Sequence, residues 1–274
     1  MVVLCRVLQI SRSGYYAWLR RPVSTRCQAD QVLFTEIQRV HEAHRGHSGA
    51  VKTWRVLNRE GVTCGKHRVA RLRRENDIVA KRRWRYLVTT RSKRHQWHAP
   101  NLLQRHFGAR EPDQVWVGDV TGVATRQGWL YLAVLIDLFS RQVVGWSMDT
   151  RNDTALALGA LNMAIEQRQP GPGLIHHSDR GANYASLAYQ SRLSSSAMVA
   201  SMSRKGDCWD NAVAESFFAT LEFELIERQV FPSRLAARMA VFEFIEVFYN
   251  RQRSHQTLGY RTPLEVEQQY QKVA

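Results

Sequence analysis

A chain of 274 residues, 44% hydrophobic and 10% aromatic, has room for about two folded domains and is not a disordered polypeptide. Its longest apolar run, Trp129–Ile136, is too short for a membrane span, and Arg6 interrupts the N-terminal apolar stretch too early for a secretory signal. The net charge of +15 is lopsided: residues 1–110 carry 24 Lys/Arg against 6 Asp/Glu, a net +18, while residues 111–274 carry 15 against 18, a net −3.

A positive excess confined to the first two fifths of a chain points to nucleic acid as partner, with no membrane role. Cysteines at 5, 27, 64 and 208 make neither a CxxC pair nor a disulfide framework, which fits a reducing cytoplasm. The first segment is helical by its apolar spacing. Val32-Leu33, Ile37, Val40 and His44 follow Asp30; Ala50, Val51, Trp54, Val56 and Leu57 run towards Gly61; Val69, Ala70 and Leu72 lie between Lys66 and Asn76. Three short helices with a glycine turn outline a helix-turn-helix region over roughly 1–75. Its third helix carries Lys66, Arg68, Arg71, Arg73 and Arg74, candidates for phosphate and base contacts.

Residues 76–110 form a basic linker in which Arg82, Arg83 and Arg85 interleave with Trp84 and Tyr86. That pattern suits DNA-backbone contact with base stacking; Trp84 and Trp97 packed against a neighbouring domain is an equal alternative. From Gln114 the character changes. Val115–Asp119, Gly128–Ile136 and Arg141–Met148 are three strands with short turns, expected as an antiparallel meander with a covered central strand. Asp153–Gln167 is a helix capped by Asn152 or Asp153, Leu174–Ser178 a fourth strand, Tyr184–Leu193 a helix and Met198–Met202 a fifth strand. Helices over Asn211–Arg228 and Leu235–Asn250 and a polar tail complete an α/β layering of mixed sheet and helices.

Three acids stand at telling places. Asp119 closes the first strand, Asp179 follows the fourth, and Glu215 lies one turn inside the helix after Asp210. Carboxylates at strand ends, backed by a helix, are the ligands that hard divalent cations require. Taken singly, each would be an ordinary turn, cap or solvated helix residue.

The words around them resemble an insertion-sequence transposase of the OrfB type, with a retroviral-integrase-like core. Those words are Trp116-Val-Gly-Asp119-Val-Thr121, His177-Ser-Asp179-Arg-Gly181, Ser201–Gly206, Asp210-Asn-Ala212 with Glu215-Ser-Phe-Phe218, and Tyr249-Asn-Arg251 with His255, Leu258-Gly-Tyr260 and Thr262-Pro263. The N-terminal Gly14-Tyr-Tyr-Ala-Trp18 looks similar too, so the likeness covers nearly the whole chain. It implies a ribonuclease-H-like five-stranded mixed sheet with flanking helices over 111–230, preceded by the all-α region and followed by a helical extension over 231–274. It further implies a DDE triad of Asp119, Asp179 and Glu215 holding two Mg²⁺ (or Mn²⁺) ions. The implied reaction is strand cleavage at element ends, then 3′-hydroxyl attack on another phosphodiester. Partners expected on the same ground are element-end and target DNA, further copies of the chain on DNA, and a first-frame fusion partner, in the bacterial cytoplasm at the nucleoid.

The chain departs from the family pattern at three positions. Glu222 stands two helical turns beyond Glu215, where the family usually has Lys or Arg; Asn183 replaces a common Gln, and Asp207 a common Asn. A carboxylate at 222 would repel a terminal phosphate. Either end recognition moves to Arg180, Lys205 or Arg228, or the chain is an impaired DNA-binding remnant or regulator. A structure-directed nuclease on the same fold is the third alternative. His41, His44, His47, Cys64 and His67 lack the spacing of a standard zinc site. His176 or His177 could touch substrate, with strand-end packing at least as good a role. Phe242, Phe244, Ile245 and Phe248 are expected in the core.

Overall fold

The computed structural model describes residues 2–81, 98–104, 108–204 and 208–273. Arg82, Arg83, Arg85 and Lys205, with Trp84, Trp97 and Asp207, lie outside the described residues. The chain divides into two compact units, residues 1–81 and 82–274.

The first unit is all helix: α1 (Val2–Val7), α2 (Arg12–Leu19), α3 (Thr25–Ala43), α4 (Ala50–Arg59) and α5 (Lys66–Glu75). Leu33, Ile37 and Val40 of α3 recur every third or fourth residue and so share one face. They pack with Val56 and Leu57 of α4 and Val69 and Leu72 of α5 in a single core. Val32 points away and is largely exposed.

The second unit is built on a five-stranded sheet, order β3-β2-β1-β4-β5, from β1 (Val115–Thr125), β2 (Gly128–Asp137), β3 (Val143–Asp149), β4 (Ile175–Ser178) and β5 (Val199–Met202). The meander is present: β1 pairs antiparallel with β2, and β2 with β3. Strands β4 and β5 add in parallel beside β1. The flanking helices are α6 (Thr154–Arg168), α7 (Leu187–Ser195), α8 (Ala212–Glu224), α9 (Arg234–Glu243) and α10 (Pro263–Val273).

Strand alternation sends successive side chains to opposite faces. Trp116 enters the core beneath α6 and α7, with Leu161, Tyr189 and Leu193. Val123 enters the opposite one, with Phe217 and Leu221 of α8 and Ala237 and Val241 of α9. Of the four residues expected in the core, Phe244, Ile245 and Phe248 are buried in a π-helical turn (Phe244–Tyr249), whereas Phe242 is 47% exposed.

Several boundaries differ from the sequence reading. Strand β1 runs to Thr125 because Val120–Thr125 pair with Ala133–Gly128 across the Arg126–Gln127 turn. Helix α7 starts at Leu187, where the Ser186 side chain accepts the Tyr189 N–H. Helix α8 stops at Glu224 and gives way to a 3₁₀ turn at Ile226–Arg228. The polar tail ends in α10, opened by a reciprocal capping box: the Glu265 carboxylate accepts the Thr262 N–H at 2.7 Å, and Thr262 Oγ1 accepts the Glu265 N–H.

A buried polar network ties α10 to the sheet. Glu267 pairs with Arg168 of α6 at 2.5 Å and accepts the Ser140 hydroxyl at 2.7 Å, and the Ser140 N–H donates to Asp137 at 2.9 Å. Burial pushes the fully buried Asp137 carboxyl up to about 6, against the N–H groups of Ser140 and Asp113 that favour its charge. A carboxyl raised on folding holds its proton longer in the native state, so it contributes most below the unfolded value near 4 and loses that contribution as pH rises to about 6. This loss amounts to about 3 kcal/mol. Urea midpoints should therefore show a falling component between pH 4.5 and 6.5 in the native chain that is missing from Asp137→Asn. Equal slopes in the two proteins would refute it.

Candidate active site

The parallel register decides where two of the acids sit. The last paired residues of β1 and β4 are Gly118 and Ser178, so Asp119 and Asp179 are the residues that follow that pair on neighbouring strands, which lie about 4.8 Å apart. Asp119 does not close β1 as the sequence suggested. It lies mid-strand, where pairing with β4 stops while pairing with β2 continues.

Glu215 comes from the other direction. Ala214, in the first turn of α8, is buried against Val117. Val117 is two residues before Asp119 and therefore on the same face of β1. This brings Glu215 to that face, with its side chain exposed.

Burial raises the half-buried Asp119 carboxyl to about 8, helped by the neighbouring charges of Asp179 and Glu215 and opposed by the Val120 N–H. Burial likewise raises Asp179, opposed by the Gly181 N–H that it accepts at 2.9 Å. Glu215 is raised by desolvation. A Cβ at Gly181 would sit 2.8 Å from Asp179 Oδ1, so a larger residue there would displace that carboxylate. Among the described residues no three His, Cys, Asp or Glu side chains close on a preformed ion position. The carboxylates nevertheless fit a hard cation chemically: all are acceptor-only, and Asp119 feels the charge of the other two.

Two residues not singled out by sequence belong here. Asn211 is 4% exposed and faces Asp119 closely enough to lower its pKa, yet neither amide atom makes a hydrogen bond of ordinary geometry. Its position one helical turn before Glu215 was the available signal. The buried phenol of Tyr184, held well above its usual range by burial, is also faced by Asp119 and Asp179, and no local pattern announces it.

The two histidines are packing residues. His176 is fully buried, bonds the Tyr189 hydroxyl at 2.9 Å, and is pushed down to about 3 by burial. His177 sits between the hydroxyls of Ser201 and Ser203, pushed down to about 4 by burial. Neither is charged at neutral pH. Asp210, at the start of the α8 segment, is fixed by Arg204 and Asn101.

Arg180, next to Asp179 in sequence, anchors its Nε on the Ser203 carbonyl at 2.8 Å. Arg228 lies over the Phe223 ring and donates to the Phe223 carbonyl. Asn183 donates to Asn152 at 2.6 Å. In the first unit, the five basic residues of α5 do not form a common surface. Arg73 is 4% exposed and donates to Thr53 Oγ1 and the Ser48 carbonyl, so it is a core strut, contrary to its expected DNA contact. Arg68 and Arg71 both grip Asp30 at 2.6 Å, which spends the charge expected for DNA on joining α5 to α3. Lys66 and Arg74 remain exposed.

Family models match the chain in three stretches: "HTH-like domain" over residues 28–86 and "Integrase core domain" over 109–208 and again over 197–263. The transposase for insertion sequence element IS904 of Lactococcus lactis is 40% identical, over 90% of this chain and 98% of its own length. Transposase InsF for insertion sequence IS3A of Escherichia coli is 39% identical, over 96% and 92%. The chain belongs to the insertion-sequence transposases. An insertion element IS600 protein of 31 kDa from Shigella sonnei, uncharacterized, is 41% identical over 99% of this transposase and all of its own length. Among solved structures, the HTLV-2 integrase catalytic core with magnesium matches 58% of the transposase and 98% of its own chain, at 19% identity and a TM-score of 0.44. Among the described residues no helix is long and apolar enough to cross a membrane.

Proposed function

We propose that this transposase catalyses divalent-metal-dependent strand cleavage and 3′-hydroxyl strand transfer at the ends of an insertion sequence. The observation that carries the reading is that Asp119 and Asp179 each follow the last β1–β4 pair, with Glu215 next to Ala214, which shares a buried cluster with Val117 of β1. These three would hold Mg²⁺ or Mn²⁺, two ions in the full site. When bound, such ions lower the pKa of an attacking oxygen and stabilise the leaving one.

The chain's own part is positional. Asp119 is held by its pairing with Val134 of β2, and the Gly181 N–H orients Asp179 at the end of β4. His176 and His177, neutral and buried, brace β4 without offering a competing base. Arg180, held on the Ser203 carbonyl, would supply a cation for a DNA phosphate, while Lys66 and Arg74 are the α5 side chains left to meet DNA. Joining two DNA ends needs more than one active site, which favours a homo-oligomer on DNA, with a first-frame fusion partner as a further component.

Incubating the transposase with Mg²⁺ and duplexes taken from the flanks of its own element should yield joined products. Intact DNA binding without joined products would sink the reading for this chain. Glu222 favours the second reading, an impaired regulator. It is a half-buried carboxylate two turns along α8 from Glu215. Under that reading Glu222→Lys should restore joining by about tenfold or more, the worth of one favourable charge contact. Under the first reading the variant changes joining by less than about threefold.

A further inference from the structure

We propose that residues 2–21 form a second DNA-reading unit, separate from the matched helix-turn-helix-like stretch. In this unit α2 lies in the major groove of duplex DNA and presents Arg12, Ser13, Tyr16 and Arg20. The segment is a helix, a tight turn and a helix. Gln9 takes the left-handed conformation at φ 52°, the Ile10 N–H closes on the Cys5 carbonyl at 3.0 Å, and Ser11 caps α2 by accepting the Gly14 N–H at 3.0 Å. Gly14 lets the turn be this sharp, because a Cβ there would meet Ser11 Oγ at 2.7 Å.

Helix α2 has two distinct sides. Gly14, Tyr15 and Trp18 line one hollow with Ile10 and Ser11 of the turn, and the Tyr15 ring lies 6.4 Å from that of Trp18. At 100° per residue, Arg12, Ser13, Tyr16 and Arg20 fall on the opposite side, and all four are exposed. That stripe holds two guanidinium groups, a hydroxyl and a phenol, donors and acceptors of the kind that read base edges and phosphates. Eight residues of helix measure about 12 Å, close to the width of the groove.

Charge chooses the ligand. Residues 1–29 contain five arginines and no acid; the first carboxylate of the chain is Asp30, which is taken by Arg68 and Arg71. Trp18, itself 69% exposed, lies with Tyr15 on the turn side of α2, away from the stripe that carries Arg12, Tyr16 and Arg20. Helix α5, the reader expected from its sequence, has three of its five cations engaged within the unit.

The test uses the full chain in EDTA and a pool of random-sequence duplexes of about 25 bp. The native chain should enrich a sequence motif from the pool. The triple variant Arg12→Ala, Tyr16→Ala, Arg20→Ala should lose that enrichment, bind the selected duplex about 10–100-fold more weakly, and show a salt slope lower by about 2. Its circular dichroism should match the native spectrum; the single Arg12→Gln, too mild to unfold a helix, should alone cost about fivefold or more. Unchanged affinity and motif in both would overturn the proposal. So would a triple variant that keeps the motif and only loses self-association on a sizing column. Because EDTA removes any need for the carboxylates, Asp119→Asn should enrich the same motif, so failure here is distinct from failure of strand transfer.

Discussion

Replacing Asp119 by Asn should lower strand joining by at least about 10³-fold while DNA binding in EDTA stays within about twofold of native. Asp179→Asn and Glu215→Gln should do the same, and doubles should be little worse than singles, since the three act as one unit. Residual joining near native levels in any of the three would remove that residue from the proposed site. The same substitution has a second, opposite consequence for stability. Burial and the neighbouring acids raise the Asp119 carboxyl to about 8. The folded state therefore favours its proton, and the charged form costs stability increasingly as pH climbs from about 4 towards 8. At pH 8 without divalent metal, Asp119→Asn should unfold at a higher temperature, by about 1–3 kcal/mol. Adding Mg²⁺ should raise the midpoint of the native chain and leave that of the variant nearly unmoved. A variant less stable than native at pH 8, or equally responsive to Mg²⁺, would contradict the like-charge account.

Gly145→Val should cost about 3 kcal/mol or more, enough to leave little soluble protein. At Gly145 the strand β3 lies directly on α6: a Cβ would sit 2.4 Å from the Ala160 carbonyl oxygen, 2.7 Å from Ala164 Cβ and 2.9 Å from Ala164 N. Two of those atoms are helix backbone and cannot rotate away. Gly171, with nothing within 4 Å of its Cβ position, should accept Ala within about 0.5 kcal/mol. Chemical denaturation of both variants checks the contrast, and a well-folded Gly145→Val would show that α6 can retreat from the sheet.

Much of this was legible in the residues, where local pattern and tertiary structure agree. The meander followed from apolar strands between short turns, and α6 from Asp153, which accepts the Leu156 N–H as its cap. The three acids were found by their neighbours in sequence, and the sheet register then supplied what spacing cannot, that Asp119 and Asp179 are lateral neighbours. What sequence could not reveal depends on long-range partners. Arg73 looks like its neighbours Arg71 and Arg74 until Ser48 and Thr53 are brought to it. Asp119 looks like the end of a strand, but β2 carries the ladder past it to Thr125. By contrast, Thr262-Pro263-Leu264-Glu265 was readable as a helix start by its capping spacing, and the polar composition around it concealed that.

Asp119 and Asp179 each follow directly on the last pair of the β1–β4 ladder. Asp119 is held in β1 by its pairing with Val134 of β2, and Asp179 is tied to the end of β4. Glu215 has no such tether, since its place depends on how α8 lies across Val117. The distance from Glu215 to the two aspartates therefore depends on the seating of a single helix, which a substitution in α8 can change without touching the sheet.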